Sequence, residues 1–216
     1  MCTVIVRTGR PLLLMGIRDE FADRPWEGPG EHWPEHPGVS GGRDLKAGGT
    51  WLAVDKAARR AAALLNGRGV PAAESTRLSR GELPLLALAR GGMPDAELTR
   101  YDPFHLVLAE PGGARLFSWD GHRLERSELP DGTSMIVNTG LDPDHERVIR
   151  HLPRFTGDAD WHGPVHDPPS DAADALIVRH ELPDGRVFAS LSVTLLTLAP
   201  DEVTYEFIDL TADQHG

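Results

Sequence analysis

The chain has 216 residues, of which 40% are hydrophobic and 25% charged, so it can bury a real core as one large domain or two small ones. Its net charge of −11 argues against a nucleic-acid binder, which needs a basic face for phosphates, and repels anionic membranes. A single cysteine excludes an intramolecular disulfide and a cysteine-based zinc site.

The first elements are two β-rich runs, Thr3–Arg7 and Leu12–Ile17, spaced as a hairpin around Thr8-Gly9-Arg10-Pro11. Their apolar stretches, broken by Arg7, Arg10 and Pro11, are too short for a signal-peptide core or a membrane span, and the expected location is the cytoplasm. Residues 18–50 are rich in charge, Pro and Gly, without apolar periodicity, and read as a long functional loop. Trp51–Val54 and Ala61–Leu65 follow as a strand pair. Ser79-Arg80-Gly81-Glu82 has the form of a capping box for a helix over Leu83–Ala89, closed by Gly91-Gly92, and a second helix can start near Pro94. His105–Glu110, Ala114–Trp119 and His122–Glu128 form a meander, and Met135–Val137 adds a short strand. A helix is expected over Asp142–Leu152, a mobile loop over Gly157–Ser170 and a helical turn over Asp171–Arg179. Arg186–Leu198 and Glu202–Ile208 close the chain as strands. No repeat or break in composition divides it, so the expectation is one α+β domain over residues 1–216.

Chemistry concentrates near the N-terminus. If Met1 is removed, Cys2 carries a thiol and a free α-amine, with reference pKa values of about 8.5 and about 8. One residue then holds both a nucleophile and its base, although a small apolar residue opening a strand has the same appearance. A hairpin returns Arg18 and Asp19 to the side of Cys2. Arg18 can lower the thiol pKa and Asp19 can hold the α-amine, and the same two residues also make an ordinary surface pair. Asn66 and Asn138 each close a strand, where an amide serves as an oxyanion donor or as a turn residue. Gly41-Gly42 and Gly48-Gly49 bracket a tight segment but match no nucleotide-binding fingerprint. His32 and His36, like His162 and His166, are separated by Pro-containing segments that break a helical metal pair. No metal or cofactor is expected, although a histidine-rich loop can bind a soft ligand such as haem.

Taken in order, these segments resemble the NRDE family, the transport and Golgi organisation protein 2 homologues. Its Asn-Arg-Asp-Glu motif reads Ile17-Arg18-Asp19-Glu20 here. Met1-Cys2-Thr3, Gly41-Gly42-Arg43-Asp44-Leu45, Ala47-Gly48-Gly49-Thr50-Trp51-Leu52, Leu64-Leu65-Asn66, Ser79-Arg80-Gly81-Glu82-Leu83 and Tyr101-Asp102-Pro103-Phe104-His105-Leu106 continue the match. The family is similar in layout to N-terminal-nucleophile hydrolases of the bile-salt hydrolase and penicillin V acylase group. The resemblance implies a four-layer αββα sandwich and hydrolysis of a linear amide of a small molecule. Cys2 would be nucleophile with its α-amine as base, Arg18 would support the thiolate, and Asp19 would hold the amine, with Glu20 as the other carboxylate at hand. Asn66 and Asn138 would lie near the oxyanion.

Three departures stand out, one being the missing Pro-Trp pair after the Asn138 region, where Pro143-Asp144 stands. Ile17 replaces the motif's Asn, and Ser190-Leu191-Ser192-Val193-Thr194 lacks the arginine that the hydrolases keep near the C-terminus, a charge that Leu191 cannot supply. The family's eukaryotic members are linked to haem and lipid handling. The rival expectation is therefore a non-catalytic ligand-binding or trafficking protein on the same fold, with a haem or lipid-like ligand as partner. Neither reading involves nucleic acid or a membrane segment.

Overall fold

Side chains alternate across the N-terminal strands, and that alternation sets the architecture. In a computed structural model, which describes residues 2–211, β1 (Thr3–Arg7) and β2 (Leu12–Phe21) form the expected hairpin, paired from Thr3↔Ile17 to Arg7↔Leu13. They sit in a sheet with β10 (Thr133–Ile136) beside β1 and β12 (Val187–Leu198) beside β2. β11 (Arg179–Glu181) and β13 (Val203–Asp209) both pair with β12. The second sheet is a seven-stranded meander: β3 (Trp26–Gly30), β4 (Val39–Asp44), β5 (Leu52–Asp55), β6 (Arg60–Asn66), β7 (Phe104–Glu110), β8 (Gly113–Trp119) and β9 (Leu124–Glu128). All the named strand pairs are antiparallel.

The two sheets pack face to face. Val4, Val6, Leu12 and Leu14 of the first meet Leu52, Val54, Leu65 and Val107 of the second. The second sheet's outer face buries Leu64, Leu106 and Leu108 against helix α1 (Leu83–Arg90). The first sheet's outer face buries Ile5, Met15 and Ile17 against Val148 of helix α2 (Glu146–His151) and against Phe155, Trp161 and Val165. Each fully buried aliphatic or Phe side chain contributes about 1.5–3 kcal/mol, so the three apolar clusters carry the stability. The protein is thus mixed α+β, with two antiparallel sheets and few helices. Among the described residues no helix is long and apolar enough to cross a membrane.

Helix α1 ends as its sequence implies: Gly91 takes a left-handed φ of 70° and its N–H returns to Ala87 O at 2.8 Å. Its start differs. Ser79 caps a 3-10 turn through Gly81 N at 3.2 Å, while the Glu82 carboxylate accepts the Tyr101 hydroxyl instead of closing the capping box.

Other expectations need correction. Residues 18–50 are not a structureless loop: β2 runs on to Phe21, and β3 and β4 follow. In β4, Gly41 and Gly42 hide the strand pattern because they make room for the β5 backbone and the Trp51 ring instead of burying a side chain. Helix α2 begins at Glu146, because residues 142–145 form a turn that His145 caps through Arg147 N. Near Pro94 there is no α-helix, only a 3-10 turn over Leu98–Arg100. Residues 171–178 are turns and bends leading into β11. The Gly157–Ser170 segment holds a 3-10 turn over Gly163–His166 and is anchored by Trp161, which is 5% exposed and stacks edge-on against Phe155 at 5.5 Å.

Candidate active site

Strand alternation splits the predicted residues between two faces of one sheet. Cys2 packs with the core between the sheets, half-buried, and its Sγ lies 3.8 Å from the Asp19 backbone oxygen. It opens onto a cleft of 560 Å³ that Arg18, Trp51, Asn66 and Arg80 also line. Arg18 is 4% exposed, and its guanidinium lies 4.4 Å above the Trp51 ring and 5.8 Å from Trp26. This cation–π stack replaces part of the lost hydration. The Arg18 Nη1 is buried without a hydrogen-bond partner among the described residues. Burial pushes the Cys2 thiol up, Asp19 adds to the shift and Arg18 opposes it. Burial thus disfavours the thiolate, and attack on a carbonyl calls for a base.

On the other face, Asp19 is 3% exposed. Ser190 Oγ donates to its Oδ1 at 2.6 Å, and Arg147 Nη1 donates to its Oδ2 at 3.2 Å and to Thr3 Oγ1 at 2.8 Å. Burial pushes the Asp19 carboxyl up, while Arg147 and the Ser190 hydrogen bond pull it down. Glu20 lines the Cys2 cleft, where it accepts from Phe21 N at 2.9 Å and meets Arg24 at 3.8 Å. Arg147 and Ser190 carry no signal in the sequence, one being an arginine in a short helix of mostly charged residues and the other a serine in an apolar strand.

Asn66 lines the cleft, and Asn138 does not. Asn138 stands one step behind, where its Nδ2 donates to Asn66 O at 2.8 Å and its own backbone oxygen meets His105 Nε2 at 3.3 Å. Leu191 is fully buried, away from the cleft lining, where β12 slips register between Ser190 and Ser192 against Asp19 and Arg18. The histidine pairs do not converge: His32 Nε2 bonds Gly28 O at 2.8 Å, and His162 sits between Asp160 and Glu206 at 3.3 and 2.9 Å. No histidine lines the cleft among the described residues.

The paired glycines build the wall. A Cβ on Gly42 would collide with the Trp51 ring, so only glycine lets Trp51 lie across β4 and under Arg18. Gly49 packs its backbone on Gly81, and Thr50 N donates to Gly81 O at 2.8 Å, which fixes the turn carrying Arg80. A Cβ at Gly49 would be driven into the Gly81 carbonyl. Gly49→Ala is therefore expected to cost about 1–3 kcal/mol in urea unfolding, as other overpacked sites do, and to slow alkylation of Cys2.

Fold and site together define an α+β protein with a cysteine cleft between two antiparallel sheets. The family model for Transport and Golgi organisation 2 matches residues 1–177, and the chain belongs to that family. No curated protein shows a match to the chain.

Proposed function

We propose that the chain, acting as a single domain, is an N-terminal cysteine amidohydrolase for a linear amide of a small molecule. One observation carries the reading: Cys2 opens onto a cleft beside the buried, hydrogen-bond-deficient Arg18, while Asp19 on the reverse of the strand is held by Arg147 and Ser190. The order helix, sheet, sheet, helix supports reading the fold as the N-terminal-nucleophile sandwich.

In this reading Met1 is removed and Asp19 orients the Cys2 α-amine, which takes the thiol proton. The thiolate, steadied by Arg18, attacks the amide carbon, and the Asn66 side chain donates to the oxyanion. Asn138 holds the Asn66 backbone from behind and acts as a positioning residue. The C–N bond breaks as the α-ammonium returns its proton to the leaving amine. Water, deprotonated by the α-amine, then attacks the thioester, releasing a carboxylic acid and restoring the thiol. The rival, a non-catalytic haem or lipid-like binder, draws less support because no histidine among the described residues lines the cleft to ligate haem.

Intact mass and iodoacetamide labelling test the proposal. Loss of Met1, fast labelling of Cys2 at neutral pH and slower labelling in Asp19→Asn are expected. Met1 persisting on purified native protein would rule the mechanism out, and a Soret shift on haem titration would favour the rival.

A further inference from the structure

The cleft lining carries five basic side chains against four acidic ones, in a protein of net charge −11. Among its lining residues, Arg24 is neutralised by Asp44 at 2.6 Å and Arg77 by Asp102 at 3.2 Å. Arg18, Arg80 and Lys46 line the same cleft with no carboxylate within ion-pair distance among the described residues. Arg80 is half-buried, with one hydrogen bond, from Nη1 to Pro103 O at 2.7 Å. Burial pulls its pKa below the usual arginine value, with Asp102 and Cys2 among the groups that oppose the shift. Arg18 is nine-tenths buried and more, with the Nη1 that lacks a partner. A desolvated guanidinium with unused N–H groups is costly unless something accepts from it. Two guanidiniums from different parts of the fold, a strand and the turn before α1, therefore face the cleft without an ion-pair partner among the described residues, while its carboxylates are engaged by other arginines, Glu20 and Asp44 by Arg24, Asp102 by Arg77 and Asp19 by Arg147.

We infer that the substrate is an anion: a small amide carrying a carboxylate or similar acid group, which Arg80 and Lys46 bind while Cys2 attacks the amide. This rests on the reading of the Cys2 cleft as the substrate site. Arg80 is the specificity-determining residue, because its planar fork suits a carboxylate and the Gly49–Gly81 contact holds its turn in place. A cationic amine would meet Arg18, Arg80 and Lys46 and be repelled.

The chain's single cysteine allows a direct test. Rates of alkylation by anionic iodoacetate and neutral iodoacetamide are compared at Cys2 by intact mass. Against free cysteine, the iodoacetate-to-iodoacetamide ratio is expected to rise by about tenfold, as for anions drawn to a cationic cleft. It is expected to collapse in 0.5 M salt, at a Debye length of about 4 Å, and in Arg80→Gln, with Lys46→Gln giving a smaller fall. A ratio equal to that of free cysteine, or one unchanged in both variants, overturns the anion inference and leaves the nucleophile standing. Slow reaction with both reagents counts against the nucleophile instead. In that event calorimetric titration of N-hexanoylglycine against N-hexanoylglycinamide decides the anion question without chemistry at Cys2. Tighter binding of the acid, lost in Arg80→Gln, supports the inference, and equal binding overturns it.

Discussion

Replacing Arg147 with Met is expected to cost about 3–5 kcal/mol of folding stability, the range seen when one partner of a buried ion pair is removed. The Arg147 and Asp19 side chains are 1% and 0% exposed, so water cannot take over from the lost partner. Met fills much of the space, and the deficit then reports the Asp19 charge left behind. The pH dependence follows in sign. Burial raises the folded-state pKa of Asp19, so its contribution favours the folded state at low pH and is lost as pH rises through that pKa. Arg147 limits the loss by pulling the carboxyl back down. In Arg147→Met the carboxyl climbs further, so the deficit is smallest in acid, where Asp19 is protonated in both proteins. It grows as pH rises and Asp19 ionises without its counter-charge. Urea unfolding across this range checks the slope, and a pH-independent deficit would mean that Arg147 acts through packing alone.

On the proposed amidohydrolase mechanism, Cys2→Ala is expected to lower kcat by about three orders of magnitude or more, the scale on which loss of a catalytic nucleophile acts. Stability is expected to change little, because Cys2 is half-buried and its thiol makes only a 3.8 Å contact, to Asp19 O, among the described residues. Binding of N-hexanoylglycine, measured by calorimetry, is expected to survive. Once a substrate is in hand, Cys2→Ala thus separates chemistry from recognition: hydrolysis retained at the wild-type rate would place the nucleophile elsewhere, and binding lost with it would mean that the thiol contributes to holding the ligand.

Parts of this site are legible in the chain itself. The hairpin of β1 and β2 is a local device, short enough that turn residues and alternation define it, and it brings Arg18 and Asp19 beside Cys2. Asn66 is legible as the end of a strand with a clean apolar run. The glycine-rich segment is harder. Gly41 and Gly42 belong to β4, but their purpose is to admit the β5 backbone and the Trp51 ring, and a missing side chain leaves no apolar pattern. Asn138 matches by position, yet its reach to the Asn66 carbonyl spans 72 residues and places it behind the cleft.

By itself the sequence determined the strands that alternate, the helix that glycine ends and the presence of one thiol beside Met1. Each of these follows from neighbours in the chain. Only the tertiary structure decided which charges are neutralised and which are left facing the cleft. Arg147 reaches Thr3 across 144 residues and Asp19 across 128, while Arg18 and Arg80 arrive in one cleft from a strand and a distant turn. Burial and ion pairing are properties of spatial neighbours, and no local pattern in the chain encodes them.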